Sequence, residues 1–309
     1  MRAIFRKEMA DYFNSIRFVV FFILVFLAAA AALFAAYQGI RGANPPRGFV
    51  FLSLFTTSGQ SLPSLAFFLS ILIPLIGIAL GFDAINSERA GGTLSRIMSQ
   101  PIYRDNVING KFLAGLTTMI IMVATTIMLV GGYGLRMIGV PPSANEIIRL
   151  FIFFVLTMAY GTFWLGLAIL FSITMRKVAT SLLMVLAVWL FFSFFMLLIA
   201  PSIANAMAPV SQASSQVELV RNAEIQQTVS LFSPTTLYSR ATAALLMPVA
   251  VGTLGVITPA QVSMMLPNPL NLTQSLVLVW PYLTSLISLS VICFGVSYII
   301  FMRQEIRAT

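Results

Sequence analysis

The apolar residues of this chain gather in six long runs separated by short polar punctuation: Phe18–Ile40, Leu65–Phe82, Phe112–Leu135, Ile147–Ile173, Val178–Ala200 and Leu276–Met302. Each approaches or exceeds the roughly 20 residues that a helix needs to cross a hydrocarbon core. The fourth and fifth runs are parted only by Thr174-Met175-Arg176-Lys177, which predicts a tight hairpin. A weaker apolar stretch, Ala241–Val256, is broken by Pro248, Gly252 and Gly255 and followed by Pro259. Those residues interrupt a spanning helix, so the stretch reads as extramembrane or re-entrant. Ahead of the first run, Phe5, Met9, Tyr12, Phe13 and Ile16 recur at spacings of three and four, with Arg2, Arg6, Lys7, Asp11, Asn14 and Arg17 between them. That pattern predicts an amphipathic helix over residues 1–17, lying in the membrane interface. The first run starts too late and runs too long for the core of a cleaved signal peptide, so it is expected to remain as a span.

The expected fold is therefore an all-α membrane protein: six transmembrane helices preceded by an N-terminal interfacial amphipathic helix, in a single domain over residues 1–309. Composition agrees, with 59% hydrophobic and 9% charged residues and a mean hydropathy of +0.96. The basic residues test the topology, because cytoplasmic loops of membrane proteins are enriched in Lys and Arg. With the N-terminus inside, the cytoplasmic segments hold Arg2, Arg6, Lys7, Arg17, Arg89, Arg96, Arg104, Lys111, Arg176, Lys177, Arg303 and Arg307, twelve of the 18 basic residues. Arg41, Arg47, Arg136, Arg149, Arg221 and Arg240 fall outside, on longer segments. The basic density differs about fourfold, which predicts both termini in the cytoplasm of a multi-pass protein of the cytoplasmic membrane. Residues 201–273 form the largest extracytoplasmic segment on this reading. Within it Val217–Thr228 is expected to be a polar helix ending before Pro234.

The net charge of +9 comes from basic residues scattered along the chain without aromatic interleaving, so it points to topology and anionic lipid headgroups and not to nucleic acid. Histidine is absent and Cys293 is the lone cysteine. That excludes His-based acid/base catalysis, Ser-His and Cys-His nucleophiles, His-ligated metals and a disulfide framework. No Asp, Glu, Lys or Arg lies deep within a run: Asp83 and Arg136 sit at edges, and Arg149 is one turn into the fourth, where Glu146 three residues before is its expected partner. Proton- and sodium-coupled transporters depend on buried ionisable groups, so their scarcity weighs against a secondary transporter or channel, the alternative reading. An intramembrane hydrolase without His would need a Ser-Lys dyad or an Asp pair, and Lys111 and Lys177 lie at the edges of their runs.

Charge concentrates in one island between the second and third runs, residues 83–111. It holds Asp83, Glu88-Arg89-Ala90-Gly91-Gly92-Thr93-Leu94, Arg96, Pro101-Ile102-Tyr103-Arg104-Asp105 and Gly110-Lys111. Charges cost several kcal/mol in lipid, so the island lies outside the bilayer. It reads either as a surface that meets a cytoplasmic partner, with Leu94, Ile97 and Met98 filling a groove, or as an ordinary interfacial loop. Two further features carry open alternatives. Gly77 and Gly81 are spaced for close helix approach at a dimer seam or pathway, but glycine is common in such helices. Trp189, Phe191, Phe192, Phe194 and Phe195 either gate an apolar route or face lipid.

The order of the island residues resembles the ABC-2 type family of ABC transporter permeases, in which an E-x-x-x-G-T-L segment and a P-x-x-R…GK stretch lie between the second and third spans. The matching residues are Glu88, Gly92, Thr93, Leu94, Pro101, Arg104, Gly110 and Lys111. Leu231-Phe232-Ser233-Pro234-Thr235-Thr236-Leu237-Tyr238 is similar to a stretch in the branch containing nitrous-oxide-reductase maturation permeases. The resemblance implies the ABC-2/ABCG-like exporter fold and a transport role without enzymatic activity of its own. It makes Glu88, Arg89, Gly91, Gly92, Thr93, Leu94 and Arg96 the ATPase-coupling residues, with Gly77, Gly81, Phe191 and Phe195 on the pathway or dimer seam. It further implies a separate cytoplasmic nucleotide-binding ATPase that carries ATP and Mg, and a second permease subunit, identical or related. The phosphate-binding G-x-x-x-x-G-K-[ST] pattern is missing here, since Gly110-Lys111 is followed by Phe112 and preceded at the first Gly position by Asp105. No cofactor or metal is expected on this chain.

Overall fold

The computed structural model describes residues 1–42, 50–58, 63–94, 99, 103–139, 141–210, 216–247 and 270–304. Among the described residues the chain is helical and contains no strand. The N-terminal helix α1 is Arg2–Phe13 and the first span α2 is Ile16–Gly42. A short helix α3, Val50–Thr56, precedes the second span α4, Leu65–Gly81, and the turn helix α5, Asn86–Ala90. The third and fourth spans are α6, Arg104–Ile138, and α7, Ala144–Thr174. The fifth is divided into α8, Val178–Leu190, a π-helical turn, Phe191–Phe195, and α9, Met196–Met207. After α10, Gln216–Ser230, and α11, Pro234–Leu246, the sixth span α12 is Leu272–Arg303. Among the described residues six helices are long and apolar enough to cross a membrane.

The helices outrun the apolar stretches. Arg104 to Lys111 is too polar to count as a span, yet α6 begins at Arg104 and carries those residues as about two turns outside the apolar run. Local signals set the other starts. Ser64 caps α4, accepting from the Phe67 amide at 3.4 Å, and Ser143 with Glu146, and Asn271 with Gln274, form capping boxes on α7 and α12.

Helix α7 is the axis of the molecule, packed against α12, α4 and α11. Small side chains make these contacts close. In α2 the buried positions are mostly alanines, Ala28, Ala29, Ala32, Ala35 and Ala36, while Phe22, Phe26, Leu27 and Phe34 are exposed. With no hydrophobic gain available between helices in lipid, close packing of small residues supplies the attraction and bulky side chains face the tails.

Two ends of the bundle can be told apart. At one, Arg17 pairs with Asp83, Ser172 Oγ accepts from the Ile85 amide at 2.9 Å, Ser181 Oγ donates to the Phe82 carbonyl at 2.8 Å, and Arg89 reaches Gln304. This α1 end collects the start of α2, the ends of α4, α7 and α12, and the start of α8. At the far end Glu146 holds α3 and Arg149 holds α11 and the start of α12. Both ends of the described chain therefore lie on the same side of the bundle.

Helix α11 changes the reading of the weak apolar stretch. It starts at Pro234, well before Ala241, and ends at Leu246, too short to cross a membrane. Leu237, Tyr238, Ala241, Leu245 and Leu246 are buried against the spans, so this part is built into the bundle. The remainder of that stretch, 248–256, lies outside the described residues.

Candidate functional site

The island folds as a corner at the α1 end. Lys111, 4% exposed at the start of the third apolar run, donates to Glu8 at 2.8 Å and to Glu88 at 2.9 Å. Lys7 lies 3.3 Å from both of those carboxylates and 3.6 Å from Asp11. One ammonium thus joins α1, α5 and α6. The neighbouring Gly110 makes this possible, because a Cβ there would stand 2.9 Å from Ile4 Cγ2. Glycine lets α1 come down on α6, and lysine then reaches the carboxylates. Such a buried pair is strongly destabilised when one partner is lost, since an uncompensated charge remains. Partial burial disfavours the Lys7 charge, but Glu8 and Glu88 outweigh it and hold the ammonium above the ordinary lysine pKa.

Around this node the polar groups are unevenly satisfied. Glu88 Oε2 and both side-chain polar atoms of the wholly buried Asn86 have no hydrogen-bond partner among the described residues. Arg89 extends the other way: its Nη2 donates to Gln304 Oε1 at 2.6 Å and its Nη1 reaches the Ile173 carbonyl at 3.5 Å. Arg104 donates to the Gln304 carbonyl at 2.9 Å, so two guanidinium groups bind the C-terminal end of α12, where positive charge complements the helix dipole.

The surface of this corner is an exposed turn. Ser87, Ala90, Gly91, Gly92 and Thr93 are exposed, and Leu94 closes the turn, 1% exposed. Gly92 has φ of +66°, a left-handed conformation that other residues resist, and Thr93 Oγ1 donates to the Glu88 carbonyl at 3.2 Å. Glu88, Arg89, Gly91, Gly92, Thr93 and Leu94 thus form one element with an anchored base and an open crest. Arg96, with Ile97, Met98 and Pro101, lies outside the described residues.

The expected stripe on α1 is shifted. The residues turned inward are Ile4 and Glu8, followed by Tyr12, whose hydroxyl donates to the Leu80 carbonyl at 2.8 Å, while Phe13 and Ile16 are exposed. Hydrophobicity misplaces the face because its key residue, Glu8, is charged and held by a lysine.

Gly77 and Gly81 make a close helix seam inside the chain. A Cβ at Gly77 would stand 3.0 Å from the Gly161 carbonyl oxygen, and one at Gly81 would stand 2.8 Å from the Ala168 Cβ. Their surface is covered by α7. Phe191 and Phe195 are exposed and stack on each other at 6.4 Å. They face out of the bundle, with surface free for a neighbouring molecule or lipid.

At the far end Glu146 and Arg149 turn to other helices instead of to each other. Glu146 Oε1 accepts from the Phe51 and Leu52 amides at 3.0 and 3.3 Å, capping α3. Arg149, fully buried, donates to the Leu245 carbonyl at 2.7 Å, the Leu270 carbonyl at 2.8 Å and Ser275 Oγ at 2.9 Å. Between the ends, Tyr160 and Tyr238 stack at 4.4 Å, and Tyr160 Oη bonds the Ser70 carbonyl and Thr235. Ser233 Oγ donates to the Phe192 carbonyl at 2.8 Å and Ser193 bonds Thr235 at 3.2 Å, so the tip of α11 docks on the π-helical turn. A cavity of about 810 Å³ opens beside this junction, bounded by α4, the fifth span, α10, α11 and α12, with Trp189, Phe192 and Arg240 in its wall.

The sequence alone marks Lys111 as part of a motif and as a basic residue at the edge of a run, and gives Glu8 no role. The signal available for Lys111 was scarcity, since it is an ionisable residue at the margin of an apolar run. Arg240 was assigned to an extramembrane segment, and nothing in its neighbours in the chain marks it as facing a cavity.

The family model described as ABC-2 family transporter protein matches residues 2–306. A relative from Pseudomonas aeruginosa described as "Probable ABC transporter permease protein NosY" is 30% identical over 191 residues, 60% of this chain and 64% of that protein. A second, of the same description, from Stutzerimonas stutzeri, is 34% identical over 110 residues, 35% of each chain. The match thus spans less than two thirds of the length of either relative.

Proposed function

The chain belongs to the ABC-2 transporter family, and from that premise we propose that it is the membrane-spanning permease of an ATP-driven exporter, moving an amphiphilic or small-molecule substrate across the cytoplasmic membrane. ATP and Mg bind a separate cytoplasmic ATPase, and both termini of this chain face that ATPase. A second permease subunit completes the pathway. Its contact surface includes the fifth span, whose most apolar window is only 17% buried against 72% in the second, with Phe191 and Phe195 in that contact.

The observation that carries the reading is the wiring of the exposed turn. Glu88 is tied through Lys111 to α6 and through Glu8 to α1, and Arg89 is tied to the end of α12. Force applied to residues 87–93 by a closing ATPase reaches three helices without passing through a flexible joint. The unpartnered Glu88 Oε2 and Asn86 amide each cost about 1–3 kcal/mol in this arrangement, and a second arrangement that satisfies them is correspondingly favoured. Motion then follows from differential contact in two states, as any ligand-driven transition requires. Coexpression with a cytoplasmic ABC ATPase from the same organism tests the reading. The ATPase copurifies with the permease on this account, and a permease that purifies alone contradicts it.

A further inference from the structure

We propose that the 810 Å³ cavity beside the π-helical turn is a binding site for an anion carried on an apolar body, with Arg240 as the group that recognises the charge. Arg240 lies on α11 among the spans and lines this cavity, and among the described residues no carboxylate pairs with it. Its Nη2 makes one neutral hydrogen bond, to Ser230 Oγ at 3.2 Å, and its buried Nε has no partner. A guanidinium without a counter-ion at the depth of membrane-spanning helices is costly, and such residues usually face a cavity and meet a ligand. The rest of the wall fits the body of that ligand. Trp189, 8% exposed and with an unpartnered Nε1, Phe192 and Leu278 supply apolar surface, while Gln226 and Ser239 add neutral polar contacts. Among the described residues no acidic side chain lines the cavity. The chemistry is that of an anionic head with a chain, whether an anionic phospholipid or a free amphiphilic anion. The site stands on the cavity and Arg240 alone and does not depend on ATPase coupling.

The test uses the full chain with Trp280→Phe, which removes an exposed tryptophan and leaves Trp189 in the cavity wall and the wholly buried Trp164, and reads the quenchable part of the emission, assigned to Trp189 by its loss in Trp189→Phe. In one arm, in neutral detergent, the probes are a bromine-terminated fatty acid at a pH where it is ionised and the matching bromine-terminated alcohol. In the other, in nanodiscs, they are brominated phosphatidylglycerol and brominated phosphatidylcholine. In at least one arm the anionic probe half-saturates about tenfold below its neutral counterpart, the worth of one charge-assisted hydrogen bond. The arm that shows it identifies the source of the anion. Arg240→Gln abolishes the preference, Arg240→Lys retains most of it, and Arg221→Gln, on the exposed face of α10, leaves it intact. Equal quenching by anionic and neutral probes in both arms overturns the proposal. So does a preference that survives Arg240→Gln or is lost with Arg221→Gln.

Discussion

Lys111 Nζ stands 2.9 Å from Glu88 Oε1, binding the base of the third span to the turn that follows the second. The same ammonium holds Glu8 of the N-terminal helix at 2.8 Å, so a single buried charge organises the α1 end of the bundle. Removing it leaves the two carboxylates with only the half-exposed Lys7, 3.3 Å from each, to balance them.

Lys111→Met is expected to cost up to about 3–5 kcal/mol of local stability, the range found when one partner of a buried ion pair is deleted, with Lys7 offsetting part of it. Hydrogen exchange on the purified chain should show α1 and α5 opening together while α7 stays protected. A double-mutant cycle between Glu8→Gln and Lys111→Met should return a coupling of at least about 1 kcal/mol, as expected for residues in contact.

Gly81→Leu and Gly110→Leu are expected to lower the melting temperature of the detergent-solubilised protein. Each forces a side chain into occupied space, against Ala168 and Leu165 in the first case and Ile4 in the second, at a cost of about 1–3 kcal/mol. Gly91→Ala places its Cβ no closer than 3.3 Å to a neighbour and should melt with the wild type.

Arg149→Gln should loosen the far end without disturbing the α1 end. The charged donor serves two backbone carbonyls and a serine, each such bond being worth about 1.5–3 kcal/mol. Limited proteolysis is expected to cut faster after Leu246 and before Leu272 in the variant, with cleavage near α1 unchanged.

The six spans could be read directly from the sequence, because about 20 apolar residues in a row admit few structures in lipid. The island residues Glu88 to Leu94 were legible as a unit for the same reason, charge being scarce and placed between two spans. What escaped were relationships that hydrophobicity does not encode. The inward face of α1 turns on Glu8, which a pattern-based reading sends to solvent. Gly77 and Gly81 do mark a close helix contact, but spacing alone does not say whether the neighbour is α7 or a second molecule. The pairing of Arg149 with Glu146 looked natural at one helical turn, yet both find stronger partners on other helices: carbonyls at the end of one helix and amides at the start of another. The tip of α11 enters the bundle through Ser233 and Thr235, which bond residues of the fifth span more than forty positions earlier in the chain.

Gly92→Ala is expected to strain the turn by roughly 1–2 kcal/mol, because the backbone there is left-handed. The permease should still fold and insert, since a Cβ at this position meets no neighbour within 4 Å. The measurable effect is weaker binding of the ATPase, read as a faster dissociation rate from the immobilised permease.

The central claim, that residues 87–93 receive the work of an ATPase, is tested most directly by ATP turnover of the reconstituted complex in lipid vesicles. The permease-dependent stimulation of turnover is compared between wild type and Glu88→Ala combined with Arg89→Ala, which cuts the links to α1, α6 and α12 at once. The account predicts that stimulation falls about tenfold or more, equivalent to ~1.4 kcal/mol of lost coupling, while the ATPase alone is unaffected. Unchanged turnover in the double variant would contradict it.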